Sequence, residues 1–318
     1  MNNWIAYELH THTNHSDGKH TFQELASSAK DIGLGGFAMT DHNTIATFKY
    51  MQDESNRLNI DILKGLEWTT FWGHILLIGI NEFLEWTDVT LDNINEKLLD
   101  IRSKSELIGV AHPFRLGGII ATGCYFEYEI NNWDIFDYIE VWSGIMPDSK
   151  YMNKRAFDFW TDLLNRGHRI SGVSGRDWHK STENDRYIPA TYLNIKEGNA
   201  ISAIKEGRIT VGFGYIVDFK VIYEHCEYDI GSVIKKNIKE VAQISANIFK
   251  TSLNDNGNID KQKLKLTINS NLGILFNNIN IEESTIISIK DINKLSWLRA
   301  ELYEDKRMIS FTNPIYFD

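Results

Sequence analysis

The chain reads as an α/β fold over residues 1–212, followed by an all-β, sandwich-like module over residues 213–318. Three observations lead to that reading. Short apolar runs of strand length alternate with stretches of helical periodicity through the first part of the chain. Those apolar runs end repeatedly in His, Asp or Glu. Near Gly212-Phe213-Gly214 the helical periodicity stops, and alternating segments separated by turn residues take over.

Ile5 to Leu9 is predicted as the opening strand and runs into Glu8-Leu9-His10-Thr11-His12. Residues two apart on a strand share a face, so both imidazoles can reach one ion. Asp17 follows in a Ser-Asp-Gly turn that brings a carboxylate back toward the strand end. Thr21 to Ile32 is predicted as a helix, capped by Thr21 with Glu24 three residues on. Gly33 to Gly36 ends that helix; it precedes a strand and so is not a phosphate-binding loop. Phe37 to Thr40 leads into Asp41-His42, and Asn43-Thr44 is expected to cap a second helix from about Ile45 to Arg57. Ile60 to Leu63 leads into Gly65-Leu66-Glu67, and Phe71 to Ile80 forms a further strand that contains His74.

A third helix is expected over about Leu91 to Lys104, then a strand from Leu107 ending at His112-Pro113. The irregular stretch from Phe114 to Asp134 carries several aromatics and is either a lid over a pocket or an excursion packing its own cluster. Tyr138 to Trp142 is a strand, and Asn153 to Arg166 an amphipathic helix. Arg169 to Gly175 is a strand ending near Asp177-Trp178-His179. A short helix at Ile201 to Glu206 and a strand at Ile209 to Val211 close this part. Beyond it, Val217–Tyr223, Lys263–Ile268 and Trp297–Tyr303 alternate, and Asn254-Asp255-Asn256-Gly257 is expected to be a hairpin turn.

The motif order H-x-H, S-D-G, T-D-H, G-x-E, A-H-P and D-x-H, over about residues 5–212, resembles the PHP (polymerase and histidinol phosphatase) family of metal-dependent phosphoesterases. Val141-Trp142, Trp160 through Ile170, and Asn313-Pro314-Ile315-Tyr316 look like the branch containing carbaryl-hydrolase-type (CehA/McbA-like) metallohydrolases. The resemblance implies a distorted, TIM-like (β/α)7 barrel with the site at the C-terminal strand ends. It implies two or three divalent ions, with zinc, manganese and iron all compatible with such ligands. His10, His12, Glu67 and Asp177 would hold one. Glu67 would bridge to a second, also held by His112, and Asp17, His42 and His179 would hold a third. Two ions ~3.5–4 Å apart would favour hydrolysis by a metal-activated hydroxide. Glu67, Asp177 and His179 would then be the central catalytic groups.

Other residues are expected around that set. Asp41 is expected to support a ligand histidine from behind. Glu140 stands near a strand end where some branches of the family carry a ligand histidine, and is also expected behind the ligands. His74 either contacts substrate or finishes a strand turn. Arg115 either clamps a phosphate oxygen or forms a loop salt bridge. Arg176 departs from the small residue this family usually has before Asp177, and either fills substrate space or adds a cation. The implied reaction is hydrolysis of a small phosphomonoester. A carbamate or carboxylic-ester hydrolase and a non-catalytic metal-binding module are the rivals.

Composition limits the alternatives. A net charge of -10 argues against a general nucleic-acid binder, so a small phosphorylated or ester molecule is the expected partner and no nucleic acid is expected. There is no apolar run of membrane-span length and no apolar stretch after Met1-Asn2-Asn3, which leads to the expectation of a cytoplasmic protein. Cys124 and Cys226 are expected to be free thiols in a reducing compartment, and the sequon at Asn14-His15-Ser16 is discounted on that ground.

Overall fold

The computed structural model of the protein describes residues 4–118, 122–145, 147, 150–181, 188–196, 198–237, 241–253, 259–279 and 284–318. The first part runs β1 (Trp4–Glu8), α1 (Phe22–Asp31), β2 (Gly36–Met39), α2 (Phe48–Leu58), β3 (Asp61–Thr69), β4 (His74–Ile78), α3 (Ile94–Arg102), β5 (Leu107–Val110), β6 (Tyr138–Ser143), α4 (Tyr151–Asn165), β7 (Ser171–Gly175), β8 (Ala190–Asn194), α5 (Ala200–Lys205) and β9 (Ile209–Gly212). Helix α1 starts as expected, with the Thr21 hydroxyl accepting from the Glu24 N–H and the Glu24 carboxylate accepting from the Thr21 N–H. Helix α2 starts later than expected because Asn43 does not cap it. The Asn43 side chain instead accepts from Thr69 N at 2.9 Å and donates to Thr69 O at 2.8 Å.

Strands β1 to β3 are mutually parallel, as are β5 to β7. Strand β4 runs antiparallel to both β3 and β5. The expected distorted (β/α)7 barrel is not seen as a full strand–helix repeat: β3 and β4 form a hairpin without a helix between them, and among the described residues no α-helix separates β5 from β6. The two ends of this strand series meet beyond their ladders. Thr11 bridges Trp178 in parallel, with His12 N donating to Trp178 O at 3.0 Å and Trp178 N to His10 O at 2.9 Å. Strand β8 lies antiparallel on the other side of β1. Its Thr191 hydroxyl accepts from Ser174 N and donates to Ser174 O, both at 2.9 Å, so a side chain serves β7 where a strand ladder would.

The remaining strands are β10 (Tyr215–Tyr223), β11 (Cys226–Asp229), β12 (Val233–Ile234), β13 (Ala242–Lys250), β14 (Leu264–Ser270), β15 (Gly273–Ile279), β16 (Ser284–Ile289), β17 (Trp297–Glu304), β18 (Arg307–Thr312) and β19 (Ile315–Phe317). Strands β11-β10-β13-β16 form one sheet. Strands β14, β15, β17, β18, β19 and β12 belong to the same sheet as the first part, joined through β18 paired with β9. Val217, Phe219 and Ile244 of the first sheet and Leu266, Ala300 and Leu302 of the second share one buried core, which makes the module sandwich-like. The expected turn at Asn254–Gly257 lies outside the described residues. The strands on either side of it, β13 and β14, belong to different sheets and do not pair with each other. Among the described residues no helix is long and apolar enough to cross a membrane, and both cysteines are free thiols.

The loop after β5 packs its own aromatic cluster. Phe126 lies against Tyr128, Trp133 and Phe136, and Trp133 against Phe159 of α4. Phe114 and Arg115, at its start, face a cavity at the strand ends.

Candidate metal centre

Strands β1 to β7, or the turns that follow them, each deliver one or two polar groups to a common point, and Glu67 is its hub. Its Oε2 lies 3.2 Å from His10 Nε2, 3.3 Å from His12 Nε2 and 2.9 Å from His42 Nδ1. Its Oε1 lies 2.8 Å from His74 Nδ1 and 3.2 Å from His112 Nε2. Asp177 Oδ1 completes one corner, 3.0 Å from His12 Nε2 and 3.5 Å from His10 Nε2. A second group lies toward solvent. Asp17 Oδ1 is 3.0 Å from His179 Nε2 and 3.5 Å from His42 Nε2, and His12 Nδ1 is 3.8 Å away.

The backbone is bent to make this fit. Asp177 and His112 adopt positive φ angles of 55° and 24°, which aims both side chains back over the strand ends. Gly175 lets β7 approach closely, since a Cβ there would lie 2.9 Å from both His10 Cβ and Glu140 Cδ.

The donor set fits divalent cations. His10, His12, Glu67 and Asp177 can converge on one ion, as can His12, Asp17, His42 and His179, and as can His42, Glu67 and His74. Two ligands ~2.1 Å from a tetrahedral ion stand ~3.4 Å apart, which is the spacing seen between the His10, His12, Glu67 and Asp177 atoms. His10 Nε2, both nitrogens of His12, and Glu67 Oε2 are buried and make no hydrogen bond. Buried polar atoms turned toward one another without hydrogen bonds are costly unless something charged joins them.

The electrostatics carry the same strain. Burial opposes charge on His10, but Glu67 and Glu140 outweigh it and raise its pKa to about 10. Burial drives His12 well below the ordinary range; Glu67 opposes this, and His10, His42 and His179 add to it. Glu67 is held well below the carboxylate range because His10, His42 and His74 outweigh its burial. Asp17 is held low in the same way, by His179 and His42. Neighbouring imidazoles here cannot all carry protons, and metal ions are the usual replacement for them.

The other expected residues are placed as follows. Glu140 is buried behind His10, its Oε2 2.9 Å from His10 Nδ1 and accepting from His112 N at 3.3 Å. Among the described residues Asp41 makes no hydrogen bond to a histidine. It accepts from Thr13 N, Thr13 Oγ1 and Ser16 Oγ, each at 2.6 Å, and so holds the turn that carries Asp17. His74 is buried against Glu67 and does not line the cavity. Arg115 pairs with Asp177 Oδ2, and Arg176 stacks on Trp178 at 4.2 Å; both line the cavity.

Two residues escaped the sequence reading. Lys150, at the N-cap of α4, lines the cavity, and its Nζ donates to Ser143 O at 3.0 Å. Glu8 Oε1 accepts from His10 N at 2.9 Å and Arg176 N at 2.8 Å, tying together the two strand ends that carry His10 and Asp177. Glu8 stands two residues before the first ligand histidine on the same strand face, which was the available signal.

The cavity beside the cluster holds about 340 Å³. His112, Asp177 and His179 line it, as do Arg115, Lys150, Arg176 and Lys180. Phe114, Ile145 and Met152 add apolar wall.

Comparison with known proteins bears on part of the chain. The model of the PHP domain matches residues 8–113. The 5'-3' exoribonuclease Rnm of Salmonella typhimurium is 35% identical over 81 residues, 24% of this chain and 28% of that protein. A phosphoribosyl 1,2-cyclic phosphate 1,2-diphosphodiesterase of Eggerthella lenta is 30% identical over 81 residues, 24% of this chain and 31% of that protein. The chain thus matches under a third of the length of these relatives. A two-domain protein from Bacteroides vulgatus, described as containing a predicted PHP-like metal-dependent phosphoesterase, superimposes with a TM-score of 0.52 at 12% identity. That match covers 99% of this chain and 96% of the other, so the fold is shared through both parts.

Proposed function

From a chain that carries a PHP domain over residues 8–113, we propose a metal-dependent phosphoesterase acting on a small phosphomonoester. The observation that carries this reading is the cavity itself. One wall is a His and carboxylate cluster suited to divalent ions, and the others present Arg115, Lys150, Arg176 and Lys180. A phosphate dianion needs cations and hydrogen-bond donors at its non-bridging oxygens, and a neutral ester does not.

His10, His12, Glu67 and Asp177 would hold one ion, and Asp17, His42 and His179, with His12 beside them, a second. Glu67, with His74 and His112, would help to hold a further ion. Bound divalent ions supply Lewis acidity, a lowered pKa for water, and charge neutralisation. The chain's own residues do the rest. Glu140 orients the His10 ring through Nδ1, leaving Nε2 aimed at the cluster. Arg115, fixed by Asp177, offers its remaining guanidinium donors to the cavity. Lys150 and Arg176 supply positive charge around the substrate, and Ile145 and Met152 help exclude water.

The expectation that nucleic acid plays no part does not enter this reading. Relatives over the matched segment are named exoribonucleases, and the acidic net charge describes the whole molecule while the cavity wall is basic. A second reading, a carbamate or carboxylic-ester hydrolase, is favoured by Phe114, Ile145 and Met152 on the same walls. The test is metal-reconstituted protein assayed on phosphomonoesters, phosphodiesters, short 5'-phosphorylated RNA and neutral esters. Turnover of neutral esters alone would reject the phosphoesterase reading.

A further inference from the structure

Strand β7 delivers Asp177 to the metal centre, yet among the described residues only one of its edges has a strand partner, β6. On the other edge its backbone is served by side chains. Thr191 takes both backbone groups of Ser174. Two residues earlier, Asn313 does the same for Gly172. Its Oδ1 accepts from Gly172 N at 2.8 Å and its Nδ2 donates to Gly172 O at 2.7 Å, across a sequence separation of 141 residues. Residues 172 and 174 are the alternate positions that a neighbouring strand would bond, so the two side chains together stand in for that strand.

Asn313 is itself rigidly held. It is fully buried, its N–H donates to Ile209 O at 2.9 Å, and the proline that follows restricts its backbone to extended conformations. It lies directly after β18, in the C-terminal module. Just beyond β7, the N–H of Arg176 is fixed by Glu8 and the N–H of Trp178 by His10 O. Asp177 sits between these anchors, at a left-handed backbone angle that the surroundings must enforce.

We propose that Asn313 is a positioning residue of the metal centre: its carboxamide sets the height of β7, and so the reach of Asp177 toward His10 and His12. The inference rests on the metal-binding reading above. It gives the C-terminal module a role in the site although none of the ligands named here lies beyond His179.

Metal affinity in solution tests it, without reference to turnover. Zinc and cobalt would be titrated against a chromophoric chelator for the wild type, Asn313→Ala, Asn313→Asp and Ser310→Ala. The cobalt absorption spectrum would be recorded for each. Asn313→Asp keeps shape but loses the donor to Gly172 O. Ser310 is the control: it is equally buried and its hydroxyl donates to Val211 O at 2.7 Å, so its loss weakens the same junction without touching β7. The expected result is a loss of about 10- to 100-fold in affinity for the tightest ion in both Asn313 variants, with a changed cobalt spectrum. Ser310→Ala should lower Tm yet keep both affinity and spectrum. Equal affinity changes in Asn313 and Ser310 variants, or wild-type affinity in a folded Asn313 variant, overturn the proposal. So does failure of both Asn313 variants to fold, since Asn313 would then hold the fold in general. A wild-type chain that binds no ion fails the metal reading itself, before any variant is compared.

Discussion

His10 Nδ1 and Glu140 Oε2 stand 2.9 Å apart, both fully buried, with His10 Nε2 turned the opposite way toward Glu67. A carboxylate at the back of an imidazole fixes the ring and its tautomer and makes the front nitrogen a better metal donor. Glu140→Gln should therefore weaken metal binding by about 10- to 100-fold while leaving the fold intact. Chelator competition and far-UV circular dichroism on the same sample check this. Undiminished affinity would mean that Glu140 serves only the His112 backbone.

Glu67 presents one oxygen to His10, His12 and His42 and the other to His74 and His112. Glu67→Gln should cost the protein more than one ion per chain, counted by elemental analysis. Loss of a single ion would show that the two oxygens do not serve separate sites.

The cationic walls give a charge test. Arg115→Ala should reduce phosphomonoester hydrolysis by about 2–4 kcal/mol in kcat/KM, comparable to removing one transition-state donor, and affect a neutral ester far less. Metal content must be matched between samples, because Arg115 also pairs with Asp177. Lys150→Met should raise KM for the phosphate substrate more than for the ester. Equal losses on both substrates in both variants would move the ester-hydrolase reading to first place.

A pH effect is expected far from the metal centre. Burial raises the pKa of Asp218 on β10, against the opposing pull of Lys220. The folded state thus keeps this proton longer than the unfolded chain does. Its contribution is full below the ordinary Asp value of about 4 and is lost as pH rises through the raised folded value. Asp218→Asn should raise Tm at neutral pH, and the gain should vanish in acid. A gain that persists unchanged at low pH would show that the carboxylate's ionisation is not the cause.

Much of the His and carboxylate cluster was legible in the sequence. His10, His12, His42, His112 and Asp177 follow apolar runs of strand length, so a linear reading finds them. What escaped has a common physical origin, namely long-range contact. The place of His74 against Glu67 depends on β4 pairing antiparallel to β3, and strand direction leaves no trace in period-2 alternation. Asn43 looked like a helix cap but is committed to the backbone of Thr69. Asn313 belonged to a segment singled out by resemblance, yet nothing local says that its partner is Gly172. The change of pattern near residue 212 is visible in the sequence, but the pairing of β9 with β18, which carries one sheet across that point, is not.

The hydrogen bonds between Asn313 and Gly172 join residues that emerge from the ribosome far apart in time. His10 through His179 leave the ribosome well before Asn313 does. A nascent chain can therefore display every ligand named here while the outer edge of β7 still lacks one of its two side-chain partners. With the role proposed for Asn313, tight metal capture would be a late step, completed when the C-terminal module docks, and a chain stalled short of Asn313 would hold its ions loosely.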